Sequence, residues 1–198
     1  MSRETGVSDA FESEAPVHIR DTRRKRTFAQ GLGEWIGILL AALLAAFLIR
    51  QYLFQSFWIP SASMEATLMI NDRVLVNKLS YRVGDIHRKD IVVFKAPPAE
   101  TDPAIKDLIK RVVAVGGDTV EAKNGALYVN NALVDEPYTD GKPTLNLGLT
   151  TVPPGHLFVM GDNRTNSSDS RVFGSISEDL VVGKTSFRVY PFNRLEVF

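Results

Sequence analysis

A mainly antiparallel β domain carried on one N-terminal transmembrane helix is the fold class the sequence predicts. An almost uncharged apolar run lies near the N-terminus, short stretches rich in Val, Ile and Phe follow it between turn formers, and Asn124-Gly125 stands between two β-compatible segments. At 198 residues the chain suffices for one ordinary domain plus an appended segment.

The apolar run comes first. Between Arg26 and Arg50 the only charged residue is Glu34, and Trp35 to Ile49 is a fifteen-residue stretch of Leu, Ile, Ala, Phe, Trp and Gly. Fifteen helical residues cover only about 22 Å of a hydrocarbon core of roughly 30 Å. Phe28 to Gly33 and Gln51 to Phe54 are therefore expected to extend the helix, with Glu34 near one interface, Arg50 snorkelling to the other, and Trp35, Tyr52 and Trp58 as interfacial anchors. Arg20, Arg23, Arg24, Lys25 and Arg26 precede the run and only Arg50 closely follows it, which predicts a cytoplasmic N-terminus. The competing reading is a cleavable secretory signal, with Ser61 and Ser63 as its small residues, but Ser63 lies fourteen residues beyond Ile49 and Arg50 interrupts the approach.

Three domains follow. Residues 1–27 are polar and mixed in charge and read as a disordered cytoplasmic tail, residues 28–54 as the transmembrane anchor, and residues 55–198 as the extracytoplasmic β-rich domain. Within the last, Val74 to Val76, Ile91 to Phe94, Ile109 to Val115, Leu157 to Met160 and Leu180 to Tyr190 have the β-branched and aromatic content of strands. A type I′ turn needs two residues that tolerate positive φ, so Asn124-Gly125 predicts a hairpin. Ala96 to Asp107, with Pro97, Pro98 and Pro103, reads as an exposed loop.

Composition narrows the chemistry. Lys plus Arg (23) balances Asp plus Glu (23), so no net field draws nucleic acid, and none is expected as a partner. The chain has no cysteine, which removes disulfides, thiolate metal sites and cysteine nucleophiles. Its histidines are His18, His87 and His156, and His18 falls in the tail, so no metal or other cofactor is expected.

Three stretches stand out: Ile59 to Leu68 just past the anchor, Lys110 to Asp118, and Gly161 to Arg171. Each has a structural explanation of its own. Pro60 and the serines after it make a turn, Lys110 in an apolar strand can snorkel, and the third stretch is rich in turn formers and can be a salt-bridged loop. The sequence contains no G-x-S-x-G, S-x-x-K or H-E-x-x-H.

Together and in this order, these stretches resemble the boxes of bacterial type I signal peptidases, which remove signal peptides from exported proteins. The likeness covers the anchor and nearly all of residues 50–198, including Arg73 to Lys78, which is similar to the strand after the nucleophile box. It implies a catalytic domain of the signal-peptidase or LexA-like type. By the resemblance, Ser63 in the Ser-x-Ser-Met box is the nucleophile and Lys110, opening the Lys-Arg box, is an uncharged general base. Ser61 and the Ser63 backbone N–H form the oxyanion hole, and Ser167 orients the lysine. Arg111, Asp162, Asp169 and Arg171 are the charged framework, and Met64 packs beside the nucleophile. Ala66 stands where proline is common, Ala114 and Gly116 where Gly and Pro are frequent, and Thr165 where aspartate is.

A lysine can take a serine proton only when neutral, and in water its pKa is about 10.4, so burial must lower it. Ile109, Val112, Val113 and Val115 supply apolar surroundings, and Arg111 is expected on the opposite strand face. The implied partners are signal-peptide-bearing preproteins, the lipid bilayer and the export translocase. The implied location is a bacterial plasma membrane or, failing that, a thylakoid membrane. Phe57, Trp58 and Ile59 are expected to dip into the interface, and residues near Ser63 and in the Lys110 strand to line shallow pockets for small side chains before the cut. A non-enzymatic anchored β-domain adaptor and a LexA-like Ser/Lys self-cleaving domain are the alternatives.

Overall fold

The structure, a computed structural model, describes residues 28–49, 53–100 and 102–198. The expected tail of residues 1–27 with its basic cluster, together with Arg50, Gln51 and Tyr52, lies outside the described residues. The chain divides into two compact units, the first ending at Ala42 and the second running from Leu43 to Phe198.

Helix α1 spans Phe28–Leu48. Residues 32–49 are all exposed, Trp35 to 73%. Among the described residues no helix is long and apolar enough to cross a membrane. The expected helical extension to Phe54 is not formed at its far end. Phe54 instead opens strand β1 (Phe54–Trp58), because Phe57 packs against the β core and the segment pairs residue for residue with the next strand.

The second unit is mainly antiparallel β, as expected. After β1 come β2 (Arg73–Asn77), the short helix α2 (Ser80–Val83), β3 (Ile91–Lys95), β4 (Asp107–Val115), β5 (Thr119–Lys123) and β6 (Ala126–Val129). Then follow β7 (Ala132–Leu133), β8 (Leu147–Thr151), β9 (His156–Met160), helix α3 (Ser170–Phe173), β10 (Ile176–Ser177), β11 (Val181–Tyr190) and β12 (Glu196–Val197). The larger sheet has the order β1-β2-β11-β3-β4-β9-β10 with β12 added beside β11, and the smaller runs β7-β6-β5-β8. All five expected strands form. Leu180 belongs to a 3₁₀ turn rather than to β11, and Asp107 to β4 rather than to the loop before it. The Asn124-Gly125 turn joins β5 to β6 with φ of 53° and 80°, and Lys123 pairs Ala126 across it.

Three apolar clusters hold these layers. Val113, Ala114, Phe158 and Met160 of the larger sheet meet Val120, Leu127 and Val129 of the smaller. Val92, Phe94, Leu157 and Ile176 form the second cluster. In the third, Ile59, Met64 and Leu68 pack on Val74, Val76, Ile91 and Val93, which seats the segment after β1 on the sheet. Ile59 is only 1% exposed, so it does not dip into an interface as expected. Its neighbour Trp58 is 60% exposed.

Candidate active site

Ser63 lies on a loop closed at its neck by two backbone bonds, from Ile59 N–H to the Asp72 carbonyl (3.0 Å) and from Asn71 N–H to the Ile59 carbonyl (2.9 Å). Inside the loop, Ala62–Met64 form one 3₁₀ turn. Met64 is fully buried and anchors the turn in the core, which leaves Ser63 facing the strand beyond. The N–H groups of Ala62 and Ser63 open the turn and have no intrahelical acceptor. Ser61 caps it with extended backbone, and its Oγ lies 3.4 Å from Ser63 Oγ.

Opposite stands β4, held by β3 on one side, where Lys110 pairs Val92. On the other side β9 ends at Met160, across from Arg111, so the first four residues of β4, Asp107 to Lys110, have no strand partner there among the described residues. Ser63 sits beside this open edge. Lys110 Nζ donates to Ser63 Oγ at 2.6 Å, although 47 residues separate the two in sequence.

Lys110 is 2% exposed. Burial lowers its pKa from 10.5 to about 8, against the opposing pull of Asp169, Glu100 and Asp162. Burial outweighs those carboxylates, two of which are committed to other cations. Asp162 takes the Arg111 guanidinium in a fork, Nε to Oδ1 at 2.8 Å and Nη2 to Oδ2 at 2.6 Å. Asp169 takes that of Arg171 in the same way, at 2.8 and 2.7 Å, and also accepts the Gly161 N–H at 3.0 Å. Burial raises the Asp169 carboxyl, but the Arg171 bonds and charge outweigh it and hold the group below its ordinary range.

All nine expected site residues converge on one region, with one bond missing. Arg111 points away from Lys110, as strand alternation requires, and its guanidinium lies 4.0 Å over the Tyr138 ring. Ser167, expected to orient the lysine, makes no bond to it: its buried Oγ acts instead on the Asp169 carboxyl, which it helps to hold below its ordinary range. It lies so close to Gly161 that a Cβ there would sit 2.3 Å from Ser167 Oγ and 2.4 Å from the Ser63 carbonyl. Glycine is thus required where the loop after β9 crosses the nucleophile turn.

Several contributors escaped the sequence reading. Asn163 ties the turn down through its N–H to the Ser63 carbonyl and its Nδ2 to the Ala62 carbonyl, both at 3.1 Å. Arg164, wholly buried, forks onto Glu136 at 2.7 and 2.6 Å. Tyr138 beside that pair stays neutral, its hydroxyl pushed up by burial and by Glu136. Turn-forming composition marked the stretch but could not rank its members, and the distance in sequence between Glu136 and Arg164 hid their pairing. Among the described residues no group of His, Cys, Asp or Glu is placed to hold a metal ion.

A hydroxyl bonded to a buried amine of lowered pKa, beside an open strand edge, is equipped for nucleophilic attack on an extended peptide. The family described as signal peptidase, peptidase S26, matches residues 32–190. The chain is 41% identical over 160 residues to signal peptidase I of Bacillus caldolyticus, covering 74% of this chain and 85% of that one. It is 36% identical over 181 residues to signal peptidase IB of Staphylococcus aureus, covering 82% and 92%. Against the probable signal peptidase I-2 of a Synechocystis species it is 35% identical over 181 residues, covering 89% and 83%.

Proposed function

This chain belongs to the signal peptidase family, peptidase S26, and we propose that it is a membrane-anchored serine endopeptidase that removes signal peptides from exported preproteins. The observation that carries the mechanism is the 2.6 Å bond between Lys110 Nζ and Ser63 Oγ, with the lysine buried and its pKa brought down to about 8.

Neutral Lys110 takes the Ser63 proton as Oγ attacks the scissile carbonyl. The oxyanion is held by the Ser63 N–H and the Ser61 hydroxyl. Collapse breaks the peptide bond, Lys110 returns its proton to the leaving amine, and Ser63 is left as an ester. Water then attacks that ester, losing its proton to Lys110, and the lysine reprotonates Ser63 as the acid departs. Ser167 is assigned the orienting of the amine by likeness to the family alone. Arg111, Asp162, Asp169 and Arg171 keep the surrounding loops in register, and Met64 holds the turn in the core. An extended substrate can pair with the open edge of Asp107 to Lys110, which brings its carbonyl to Ser63.

The setting supports the substrate class. The exposed apolar side chains along α1 support a bilayer anchor, and the basic residues preceding it in the sequence support a cytoplasmic N-terminus. Residues 55–198 then lie outside a bacterial plasma membrane or a thylakoid membrane, within reach of the export translocase. Trp58 and Tyr190 flank Arg73 on adjacent strands and share its sheet face, an aromatic surface suited to the headgroup region. Ser63 is at most about 30 Å of extended chain from Phe54, near where a bilayer-held signal peptide exposes its cleavage site.

The test is cleavage of a signal-peptide-bearing preprotein by the full chain in vesicles, with site-directed variants. The rate should rise with pH through about 8, as Lys110 loses its proton and becomes the base. Lys110→Arg, which cannot deprotonate, should lower the rate by about 10⁴-fold. Ordinary cleavage by that variant would refute the mechanism, and covalent labelling at any residue other than Ser63 would refute the nucleophile.

A further inference from the structure

The proposed mechanism uses only the inward side of the nucleophile loop. Its outward side is gripped by a further buried arginine. Arg188, on β11, is mostly buried and reaches four acceptors. Its Nη1 donates to the Thr67 carbonyl at 2.6 Å and lies 3.5 Å from Asp72 Oδ2. Its Nη2 donates to Glu196 Oε2 at 2.5 Å, and its Nε to the Arg194 carbonyl. Arg194 in turn pairs with Asp72 Oδ1 at 3.0 Å, and the Phe198 ring lies under the Arg188 guanidinium at 5.9 Å.

Thr67 is the point where this grip meets the catalytic side. Its hydroxyl donates to Asp162 Oδ2 at 2.5 Å, the same carboxylate that holds Arg111 next to Lys110. Its carbonyl is held from behind by Arg188. Between Thr67 and Ser63 the chain has little slack, because Leu68 N–H bonds the Met64 carbonyl at 2.7 Å and Met64 is fully buried. Asp72, which closes the loop neck, also accepts the Met69 N–H at 2.9 Å. One arginine thus clamps both the far limb of the loop and, through Asp72, its neck.

We propose that Arg188 is a positioning residue for peptide cleavage: braced by Glu196 and the 194–198 segment, it fixes the nucleophile loop through the Thr67 carbonyl and so sets the distance from Ser63 to Lys110. The inference rests on the Ser63–Lys110 reading. A hydroxyl displaced by about 1 Å loses on the order of 10²-fold in rate, because attack requires a near-contact geometry. Lysine at 188 keeps the charge and one donor but not the fork, so it restores only part of the grip.

The experiment compares wild type, Arg188→Gln, Arg188→Lys, a chain lacking residues 195–198 and, as a control, Ser63→Ala, each in vesicles. Active sites are titrated with a covalent serine-directed inhibitor, and kcat and KM are measured per titrated site on a signal-peptide-bearing preprotein. Arg188→Gln should lose about 10- to 100-fold in kcat with KM within about twofold, and its rate should still rise through pH 8. Arg188→Lys should recover part of the loss, and the shortened chain should lose several-fold. Fewer titratable sites with unchanged kcat per site would show a purely structural arginine and overturn the proposal. So would an equal loss in Arg188→Lys and Arg188→Gln. Full activity in Ser63→Ala would instead remove the underlying mechanism, an outcome separable from the other two.

Discussion

The two groups proposed to react are carried by very different structures. Lys110 sits within the nine-residue strand β4, paired with β3 from Asp107 to Arg111, and its neighbours alternate between the two faces of a sheet. Ser63 sits in one turn of 3₁₀ helix on a loop with no strand of its own. The base is therefore placed by regular backbone, and the nucleophile by a set of individual tethers: Met64 in the core, Asn163 and Gly161 in front, Thr67 between two arginines behind. Regular structure positions a group through many small repeated interactions. A loop does so through a few large ones, and each of those is a separate point of failure.

The largest effect should come from the one carboxylate that serves both sides. Asp162→Ala strands the buried Arg111 charge and frees the Thr67 hydroxyl, and urea unfolding should show a loss of about 3–5 kcal/mol together with a fall in kcat.

Lys110→Met tests the strand in the opposite sense, since it should abolish cleavage yet stabilise the fold. Lys110 titrates at about 8 when folded and near 10.5 when unfolded, so between those values the unfolded chain binds more protons and stability rises with pH. The burial penalty is fully present below about pH 8 and gone above 10.5. Replacement by methionine should therefore gain up to about 3 kcal/mol at pH 7, less the lost Ser63 bond, and nothing near pH 10.5. A gain independent of pH would contradict the charge argument.

Gly161→Ala presses on the loop alone. The added methyl meets the Ser63 carbonyl and Ser167 Oγ, so kcat should fall by about 10²-fold with the pH midpoint near 8 unchanged. The smallest effect belongs to Asn163→Ala, which removes the bond to the Ala62 carbonyl and the long Oδ1 bonds from Lys142 and Thr165 and keeps the backbone bond to Ser63. It should cost about 1 kcal/mol in thermal unfolding and a few-fold in kcat.

The same contrast governs what could be read beforehand. The strand half was legible: Val, Ile and Phe in short runs marked β3, β4 and β9, and Asn124-Gly125 marked its hairpin to the residue. The stretches around Ser63 and Gly161 were legible as motifs and by likeness to a family, but their internal wiring was not. Ile59 lies in the core rather than at an interface, because in an apolar run with Phe57 and Trp58 composition does not say which residue turns inward. Phe54 was drawn into the helix for a similar reason: a phenylalanine after an apolar run suits a helix end and a strand start equally, and pairing with Asn77 decided the matter.

By itself the sequence determined the apolar segment near the N-terminus, the β character of the rest, the tightest turn and the three polar stretches, because periodicity, turn stereochemistry and charge are properties of neighbours in the chain. Only the tertiary structure decided that Lys110 meets Ser63, that Ser167 Oγ makes no bond to Lys110, that Arg164 finds Glu136, and that Arg188 takes hold of the Thr67 carbonyl. A buried charge or hydroxyl must be satisfied by some partner, but many residues could serve, and which one arrives depends on how the sheets route the backbone between them.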